Sequence, residues 1–362
     1  MAAPVGDSYA VASGGVIAAG RRRFGALGDF VAGMSSGTLA EYTGTNINEP
    51  LDGADSPTDG PFSSLESVAN YPITNWSNKF FFDPITKLIG GIGTAQGYSS
   101  ESPPGAHGKC VWFDLATNSF SQDWSPTGDN QGHVYDGNVS RALNGYVYRR
   151  GFAATKIYRG TVATKTWELT TLSHSGVYGY DACGLDVFPD WGSQGSLLML
   201  GGVSGTSYLY RWDLATGTRT SLGSYACGDY PVLVYIPALH ACVFGGGSAG
   251  TGLLYKIDAA GTITQISTTL PVGVSSASSG PLLPDPSGNA LLWKLSTEDN
   301  KIRSFDPASG TWTDQGAVIA GLSGDISNAV GVSLAGMGAL AFLHGGGRSA
   351  GVSTHKFWLY KV

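Results

Sequence analysis

The chain has 362 residues, of which 54 are glycine, about twice the usual share, and only 13% are charged, about half the usual share. A formal net charge of −6 without a basic face argues against a nucleic-acid partner, and no run of 18 apolar residues suggests insertion into a membrane. No long stretch has the 3.6-residue period of an amphipathic helix. We therefore expect an all-β protein with many short strands and glycine-rich turns.

The first predicted unit is an extended N-terminal arm over residues 1–36, which is rich in glycine and alanine and has no core of its own. We expect the arm to become ordered only against something else. Its basic cluster, Arg21, Arg22 and Arg23, is interpreted first as a solvated turn and second as a contact with an acidic partner surface. Under the tether hypothesis these arginines and Phe24 form the docking segment. The arm lacks a signal-peptide pattern, because its first positive charges follow the small-residue stretch.

The second predicted unit covers residues 37–362 and begins with a strand over 37–45, where "GTLAEYTG" alternates as a strand does. After it, a unit of strand, double glycine, strand, turn and strand recurs. A tight turn precedes each double glycine, so each unit holds four strands in meander order. Units of about 40–50 residues with four strands are typical of propeller blades. The clearest copies are "KLIGGIG" (87–93) with "KCVWFDLATNSFSQ" (109–122), "LLMLGGVSGTSYLYRWDLATGTRTSL" (197–222), "HACVFGGGSAGTGLLYKIDAAGTITQI" (240–266), "IRSFDPASGTWTDQG" (302–316) and "LAFLHGGGRSAGVSTHKFWLYKV" (340–362).

An aspartate after the third strand sets the register of the copies: Asp114, Asp213, Asp258 and Asp306. Aspartate suits this turn because its carboxylate accepts hydrogen bonds from the backbone that follows. The first gap between these residues is about twice the others, and "YRGTVATKTWEL" (158–169) fills it with a copy that has lost the aspartate. The chain therefore holds six copies.

The last copy, over about 326–362, ends at a third strand and leaves its blade one strand short. An open sheet edge exposes unpaired backbone donors and acceptors, so we expect residues 37–45 to complete that blade. The predicted fold is thus all-β: a six-bladed β-propeller of four-stranded antiparallel blades, closed by an N-terminal strand and preceded by an extended arm.

The double glycine after the second strand and the "FDPASGTWTD" turn (305–314) resemble those of Kelch-type and galactose-oxidase-like propellers, over roughly residues 66–362. This resemblance implies the fold and says little about function, because such propellers include enzymes, lectin-like binders and scaffolds. The copper motif of galactose oxidase cannot be matched residue by residue. We expect no metal and no cofactor. The four cysteines form no CxxC pair, and buried free thiols are expected, with one disulfide as the alternative: Cys110, Cys183, Cys227 and Cys242.

Polar and aromatic residues precede the first strands of adjacent blades. Because first strands line the channel of a propeller, these side chains are predicted to meet at one channel mouth, where tyrosines with aspartates suit sugar or protein binding. The favoured interpretation is that they fill the channel and complete the ends of the first strands, and ligand binding is the second interpretation. The predicted binding residues are His133, Tyr135, Asp136, Tyr180, Asp181, Tyr225, Asp229 and Tyr230. The tryptophans in blade register are expected in the core: Trp112, Trp167, Trp212, Trp312 and Trp358.

No known catalytic motif is present in the sequence, so we expect a protein that is not an enzyme. The favoured function is structural: an attachment protein of a phage virion, such as a tail or head appendage. Its composition resembles that of exported and virion proteins, yet no export signal is visible. The expected partners are other virion or assembly proteins through the arm, and a host-surface glycan or protein. The alternatives are a lectin-like or adhesin propeller, secreted if the natural gene encodes a signal peptide, and a glycoside hydrolase or oxidase with an unrecognised site.

Overall fold

The protein is an all-β propeller of six four-stranded antiparallel blades arranged in a ring, as the sequence predicts. The computed structural model describes residues 24–45, 78–93, 109–124, 136–150, 156–173, 183–203, 206–227, 231–247, 253–267, 280–296, 299–319, 329–344 and 356–362. None of the helices in these ranges is long and apolar enough to cross a bilayer.

The first three blades follow one another along the chain. The closing strand β1 (Leu39–Glu41) comes first, and blade I then contains β2 (Phe81–Asp83), β3 (Leu88–Gly93), β4 (Lys109–Asp114) and β5 (Ser119–Trp124). Blade II contains β6 (Tyr146–Arg150), β7 (Lys156–Thr161) and β8 (Thr166–Ser173). Blade III contains β9 (Cys183–Phe188), β10 (Ser196–Val203), β11 (Thr206–Asp213) and β12 (Arg219–Tyr225).

The other three blades complete the ring. Blade IV contains β13 (Val232–Ile236), β14 (Ala241–Gly245), β15 (Leu254–Asp258) and β16 (Ile263–Ser267). Blade V contains β17 (Leu282–Pro284), β18 (Leu292–Leu295), β19 (Lys301–Asp306) and β20 (Thr311–Val318). Blade VI contains β21 (Ala329–Leu334), β22 (Ala339–His344) and β23 (Lys356–Lys361), with β1 as its fourth strand.

Blade II has an irregular first strand, which is why its copy is hard to see in the sequence. Only a short stretch pairs with β6. The N–H of Val139 donates to the carbonyl of Tyr148 at 3.1 Å, and the N–H of Arg150 donates to the carbonyl of Gly137 at 2.9 Å. The same stretch continues inward to blade I, where the N–H of Phe82 donates to the carbonyl of Ser140 at 3.2 Å. The stretch over 136–143 is therefore the innermost strand of this blade.

The repeated residues have the structural roles that their pattern predicts. A side chain at Gly90 would place its Cβ 2.4 Å from the carbonyl oxygen of Val111, so the double glycine lets neighbouring strands approach closely. The four turn aspartates each accept the N–H of an alanine two residues later, at 2.9–3.0 Å, which closes the turn into the fourth strand. They are Asp114, Asp213, Asp258 and Asp306.

The ring is closed by the N-terminal strand, and this prediction is confirmed. Strand β1 pairs antiparallel with β23, with Leu39 opposite Tyr360 and Glu41 opposite Trp358. Beyond the ladder, the N–H of Tyr42 donates to the carbonyl of Phe357 at 2.7 Å. The two parts of the chain that are farthest apart in sequence thus share one sheet.

The meander gives the ring two different faces. Turns from first to second and from third to fourth strands lie on one face, here named the turn face. The ends of the second and fourth strands, and the beginnings of the first and third strands, lie on the opposite face, here named the connection face. The four turn aspartates lie on the turn face. Of the predicted channel-mouth residues that the structure describes, Asp136 begins the inner strand of blade II and Tyr225 ends β12, and both of these strand ends lie on the connection face.

The second part of the N-terminal arm differs from the expectation, because it is packed on the ring. Helix α1 (Gly25–Gly33) follows Phe24, and Phe24, Leu27 and Val31 are buried in the cluster between blades VI and I. Gly25 has φ +55°, and a Cβ there would lie 2.5 Å from the carbonyl oxygen of Leu115, so this entry to the helix requires glycine. Arg21, Arg22 and Arg23 lie outside the described residues.

Helix α1 contacts the turn face. The Nζ of Lys87, in the β2–β3 turn, lies 4.5 Å from the centre of the Phe24 ring, and this ring also faces Phe82 with centroids 6.5 Å apart. Phe24 is therefore part of the propeller core, and its predicted role in docking to a separate partner is not compatible with this position. A sequence rich in glycine forms a helix here because its apolar side chains are buried against the turns.

The core consists of apolar clusters between adjacent blades. The five register tryptophans all contribute to these clusters, and Trp112 packs on Trp167 with ring centroids 5.7 Å apart. The four cysteines are buried free thiols, as predicted: Cys110, Cys183, Cys227 and Cys242. Glu168 is half-exposed and pairs with Arg159 at 2.6 Å.

We predict that Leu27→Ala destabilises the whole propeller. Leu27 is fully buried between helix α1 and the ring, so the cavity left by the substitution should lower the free energy of unfolding by about 2–5 kcal/mol. Urea unfolding followed by tryptophan fluorescence measures the effect. Asp29→Ala, on the exposed side of the same helix, is the matched control and should change stability by less than about 0.5 kcal/mol. Equal effects of the two substitutions would contradict the packing of α1 on the ring.

Candidate functional site

The first strands of the six blades converge at the centre of the ring, and three charged side chains meet there. Lys79 precedes β2 in blade I, Asp136 begins the inner strand of blade II, and Asp186 lies within β9 of blade III. Their side chains are 0%, 1% and 0% exposed. We name these three residues the central cluster.

Lys79 connects four blades. Its Nζ lies 2.9 Å from Oδ2 of Asp136 and 3.9 Å from Oδ2 of Asp186, and it also donates to the carbonyl oxygen of Leu233 in β13. Blades I and IV are opposite one another in the ring, so this side chain crosses the channel. The central cluster therefore fills the channel at this level.

Asp186 is held by backbone and hydroxyl donors from two neighbouring blades. Its Oδ1 accepts the N–H of Ser140 at 2.9 Å, and its Oδ2 accepts the Ser140 hydroxyl at 2.7 Å and the N–H of Tyr235 at 3.0 Å. Hydrogen bonds of this kind stabilise the charged form of a carboxylate. Asp186 is thus the better stabilised anion of the cluster.

Asp136 has fewer donors. Its Oδ2 accepts Lys79 and the N–H of Leu233 at 2.8 Å, whereas its Oδ1 has no hydrogen-bond partner among the described residues. Burial raises the pKa of Asp136 to about 7, against the opposing effect of Lys79. A carboxyl group with this environment is largely protonated below neutral pH.

Asp136 therefore has a different position from the one expected of a ligand-binding residue. The sequence indicates a residue at an open channel mouth, and the structure places it inside the channel, bonded to Lys79 and to the backbone of blade IV. The physical reason is the narrowness of the ring centre, where the inner strands are close enough for one lysine to cross between them. The channel-filling interpretation describes Asp136 correctly.

Tyr225 lies away from the channel as well. It ends β12, the outer strand of blade III, and packs against Phe244 and Tyr255 of blade IV, with ring centroids 5.0 and 5.1 Å apart. Its hydroxyl donates to the carbonyl of Leu222 at 2.9 Å, and burial raises its pKa. The chain must still cross the whole blade after this residue before it reaches the next first strand. The remaining predicted binding residues lie outside the described residues: His133, Tyr135, Tyr180, Asp181, Asp229 and Tyr230.

The sequence reasoning missed Lys79 and Asp186. A signal was present in each case, since "SNKFFFDP" and "CGLDVFP" both place one charged residue beside or within an apolar strand pattern. A charge in a buried strand must be paired or hydrogen-bonded. Such residues therefore indicate an interior polar site even without a known motif.

A second polar group lies at the turn face between blades III and IV. The Asp190 carboxylate accepts the Tyr235 hydroxyl, and the Nδ1 of His240 lies 3.2 Å from it. His240 has φ +47° and is largely exposed, while Arg141 lies over the Tyr235 ring at 5.6 Å. Burial raises the pKa of Tyr235 well above its ordinary value. Because His240 is exposed and Asp190 lies in a turn, we interpret this polar group as a link between adjacent blades.

Within the residues that the structure describes, no group of three or more His, Cys, Asp or Glu side chains is arranged to hold a metal ion. The central cluster offers two carboxylates, but Lys79 occupies the space between them. The chemistry available at the ring centre is therefore that of an amine beside two carboxyl groups.

Comparison with known proteins gives no functional family. No protein-family model matches the chain, and no curated protein matches it. Similar solved structures include a chain of a nidogen/laminin complex, 12% identical, with a TM-score of 0.47 over 69% of this chain and 84% of that chain. TolB from Acinetobacter baumannii is 13% identical, with a TM-score of 0.43 over 65% of this chain and 53% of TolB, about half its length. At this level of similarity the fold assignment depends on the strand pairing described above.

We predict that Asp186→Ala is far more destabilising than the loss of a turn aspartate. The substitution removes the acceptor of four hydrogen bonds and leaves Lys79 with less compensation in a buried site, which should cost about 3–5 kcal/mol. Asp258→Ala is the matched control, because this exposed aspartate only closes a turn and should cost about 1 kcal/mol. Chemical denaturation of both variants measures the difference. Similar losses would show that the central cluster does not hold the ring together.

Proposed function

We propose that this chain is a non-catalytic attachment protein, a structural component of a phage virion. In this proposal residues 1–23 hold the propeller to another virion or assembly protein, and the propeller binds a neighbouring protein or a host-surface glycan or protein. The finer resemblance to Kelch-type propellers, carried by the double glycines and the aspartate turns, belongs to the same proposal.

The observation that carries the proposal is that the attachment segment and the predicted recognition residues lie toward opposite faces of the ring. Helix α1, which follows directly on the predicted docking segment, is fixed to the turn face through Phe24, Leu27 and Val31. Among the described residues predicted to bind a ligand, Tyr225 ends β12 and therefore lies toward the opposite face. A protein that joins a particle to a surface needs attachment and recognition on separate sides.

The anchoring of the N-terminal segment supports the same proposal. Strand β1 is bound to β23 by the ladder, and further bonds flank it: the N–H of Gly37 donates to the carbonyl of Lys361 at 2.8 Å, and Lys356 pairs with Glu41 at 3.5 Å. Force applied to the preceding segment is therefore transmitted to the closing blade. A tether needs a firm connection of this kind to the domain that it holds.

The low content of charged residues also fits a virion protein. Charged side chains make up only 13% of the chain, and the buried ones described at the ring centre are used within the fold. The central cluster fills the channel, so recognition is expected on the faces of the ring. We therefore assign the binding role to the connection face.

The test is the solution mass, by light scattering, of the full chain beside a chain that lacks residues 1–22. This deletion stops before Phe24, because Phe24 and Leu27 are part of the core. We expect the full chain to assemble and the shortened chain to be a folded monomer. The triple substitution of Arg21, Arg22 and Arg23 by alanine should weaken assembly in the same direction and leave the melting temperature unchanged.

Two results would contradict the proposal. Equal masses of the full and shortened chains, both monomeric, would exclude self-assembly through residues 1–22 and leave this segment either incidental or dependent on a foreign partner. The lectin-like function would then be favoured, and a glycan-binding screen with the full chain would test it. Unchanged assembly of the triple-alanine variant would remove the arginines from the docking segment while leaving the rest of residues 1–22 in place.

A further inference from the structure

The central cluster combines groups that react with one another when water is excluded. It contains a primary amine, Lys79, and two carboxyl groups, Asp136 and Asp186, all within the buried centre of the ring. The proposed attachment function does not use any of them. Their mutual geometry therefore raises a separate question about what this cluster does.

The protonation states follow from the hydrogen bonds. Asp186 accepts two bonds from Ser140 and one from Tyr235, so it is the stabilised carboxylate and balances the charge of the Lys79 ammonium group. A second anion in the same dry site would be uncompensated. Asp136, whose Oδ1 has no partner among the described residues, is accordingly the neutral carboxylic acid, in agreement with its raised pKa.

We propose that Lys79 and Asp136 join in an intramolecular isopeptide bond between Nζ of the lysine and Cγ of the aspartic acid. The amine nitrogen is 2.9 Å from Oδ2 of this carboxyl group, and the pair is fully buried. Holding an amine and an acid at this separation replaces a bimolecular condensation with an intramolecular one, which lowers the entropic part of the barrier.

Each group of the site has a part in the reaction. Asp186, 3.9 Å from Nζ, takes one proton from the ammonium group, and the freed electron pair of the nitrogen attacks Cγ of Asp136. Oδ2 gains negative charge in the tetrahedral intermediate, where the N–H of Leu233 already donates to it at 2.8 Å. A second proton passes from the nitrogen to the Oδ1 hydroxyl group, which leaves as water.

The balance of the step is complete within the protein. One N–C bond forms, one C–O bond breaks and one water molecule is released, with no oxidation or reduction. Asp186 ends protonated, so the site holds an ammonium and a carboxylate before the reaction and no charge after it. Removal of two opposite charges from a buried site favours the product.

The first experiment is mass spectrometry of the purified full chain, which needs no variant to fold. We expect a mass lower than that of the sequence by one water molecule. Trypsin should fail to cut after Lys79, and fragmentation should find the peptide that contains Lys79 joined to the peptide that contains Asp136. A folded chain with the full mass, from which both residues are recovered in separate unmodified peptides, would overturn the proposal.

Variants test the role of each residue. Asp136→Ala and Lys79→Arg should both keep the full mass. Asp136→Asn should lose ammonia in place of water, because the amide nitrogen is then the leaving group. Asp186→Asn, which keeps the size of the side chain but removes the proton acceptor, should keep most of the chain at the full mass. Complete cross-linking in Asp186→Asn would exclude the role assigned to Asp186.

One other reaction at Asp136 also releases water and must be distinguished. Asp136 is followed by Gly137, and an Asp-Gly pair can close to a cyclic imide within one peptide. Hydroxylamine opens an imide but leaves an isopeptide bond intact, and an imide does not join two peptides. Loss of the mass difference on treatment with hydroxylamine would overturn the proposal, and its persistence would support the bond to Lys79.

Discussion

Pairing of the two distant parts of the chain in blade VI is the constraint on which the ring depends. Five blades are built from strands that are consecutive in the chain, whereas in blade VI the outer edge of β23 is covered by β1, from the N-terminal side. The same closure explains helix α1, because the chain that leads into β1 passes the turns of blades VI and I and buries Phe24 and Leu27 there. The N-terminal segment is thus placed on the turn face by the requirement to close the sheet.

Closure brings six first strands together, and this sets the chemistry of the centre. The inner strands are near enough for bonds between blades, such as the N–H of Phe80 on the carbonyl of Gly331 at 3.1 Å. The remaining space is filled by Lys79 and its two carboxyl partners, which are excluded from water and must satisfy one another. A channel filled in this way cannot admit a ligand at that level, so the faces of the ring are left for recognition.

The sequence predicted the features that arise from repetition and missed those that arise from convergence. The double glycines and the turn aspartates such as Asp213 recur at a fixed period, and an incomplete last blade indicates its closing strand. Lys79 and Asp186 each occur in one blade only, and their partners come from other blades that the closed ring brings next to them. The depth of Asp136 in the channel was equally invisible, because position along the chain does not reveal how closely the inner strands approach. Helix α1 was missed because "GALGDFVAG" has low helix propensity and depends on tertiary packing.

The proposed bond would add a second constraint, between blades I and II at the centre of the ring. Lys79 and Asp136 are 57 positions apart in the sequence. A covalent link across a loop of that length lowers the conformational entropy of the unfolded chain, which stabilises the folded state by about 4 kcal/mol. If β1 dissociated from blade VI, the bond would still hold blades I and II together at the centre. The ring would then open at blade VI, but blades I and II would not separate. In the attachment function that we propose, such a link would resist unravelling from the tethered end.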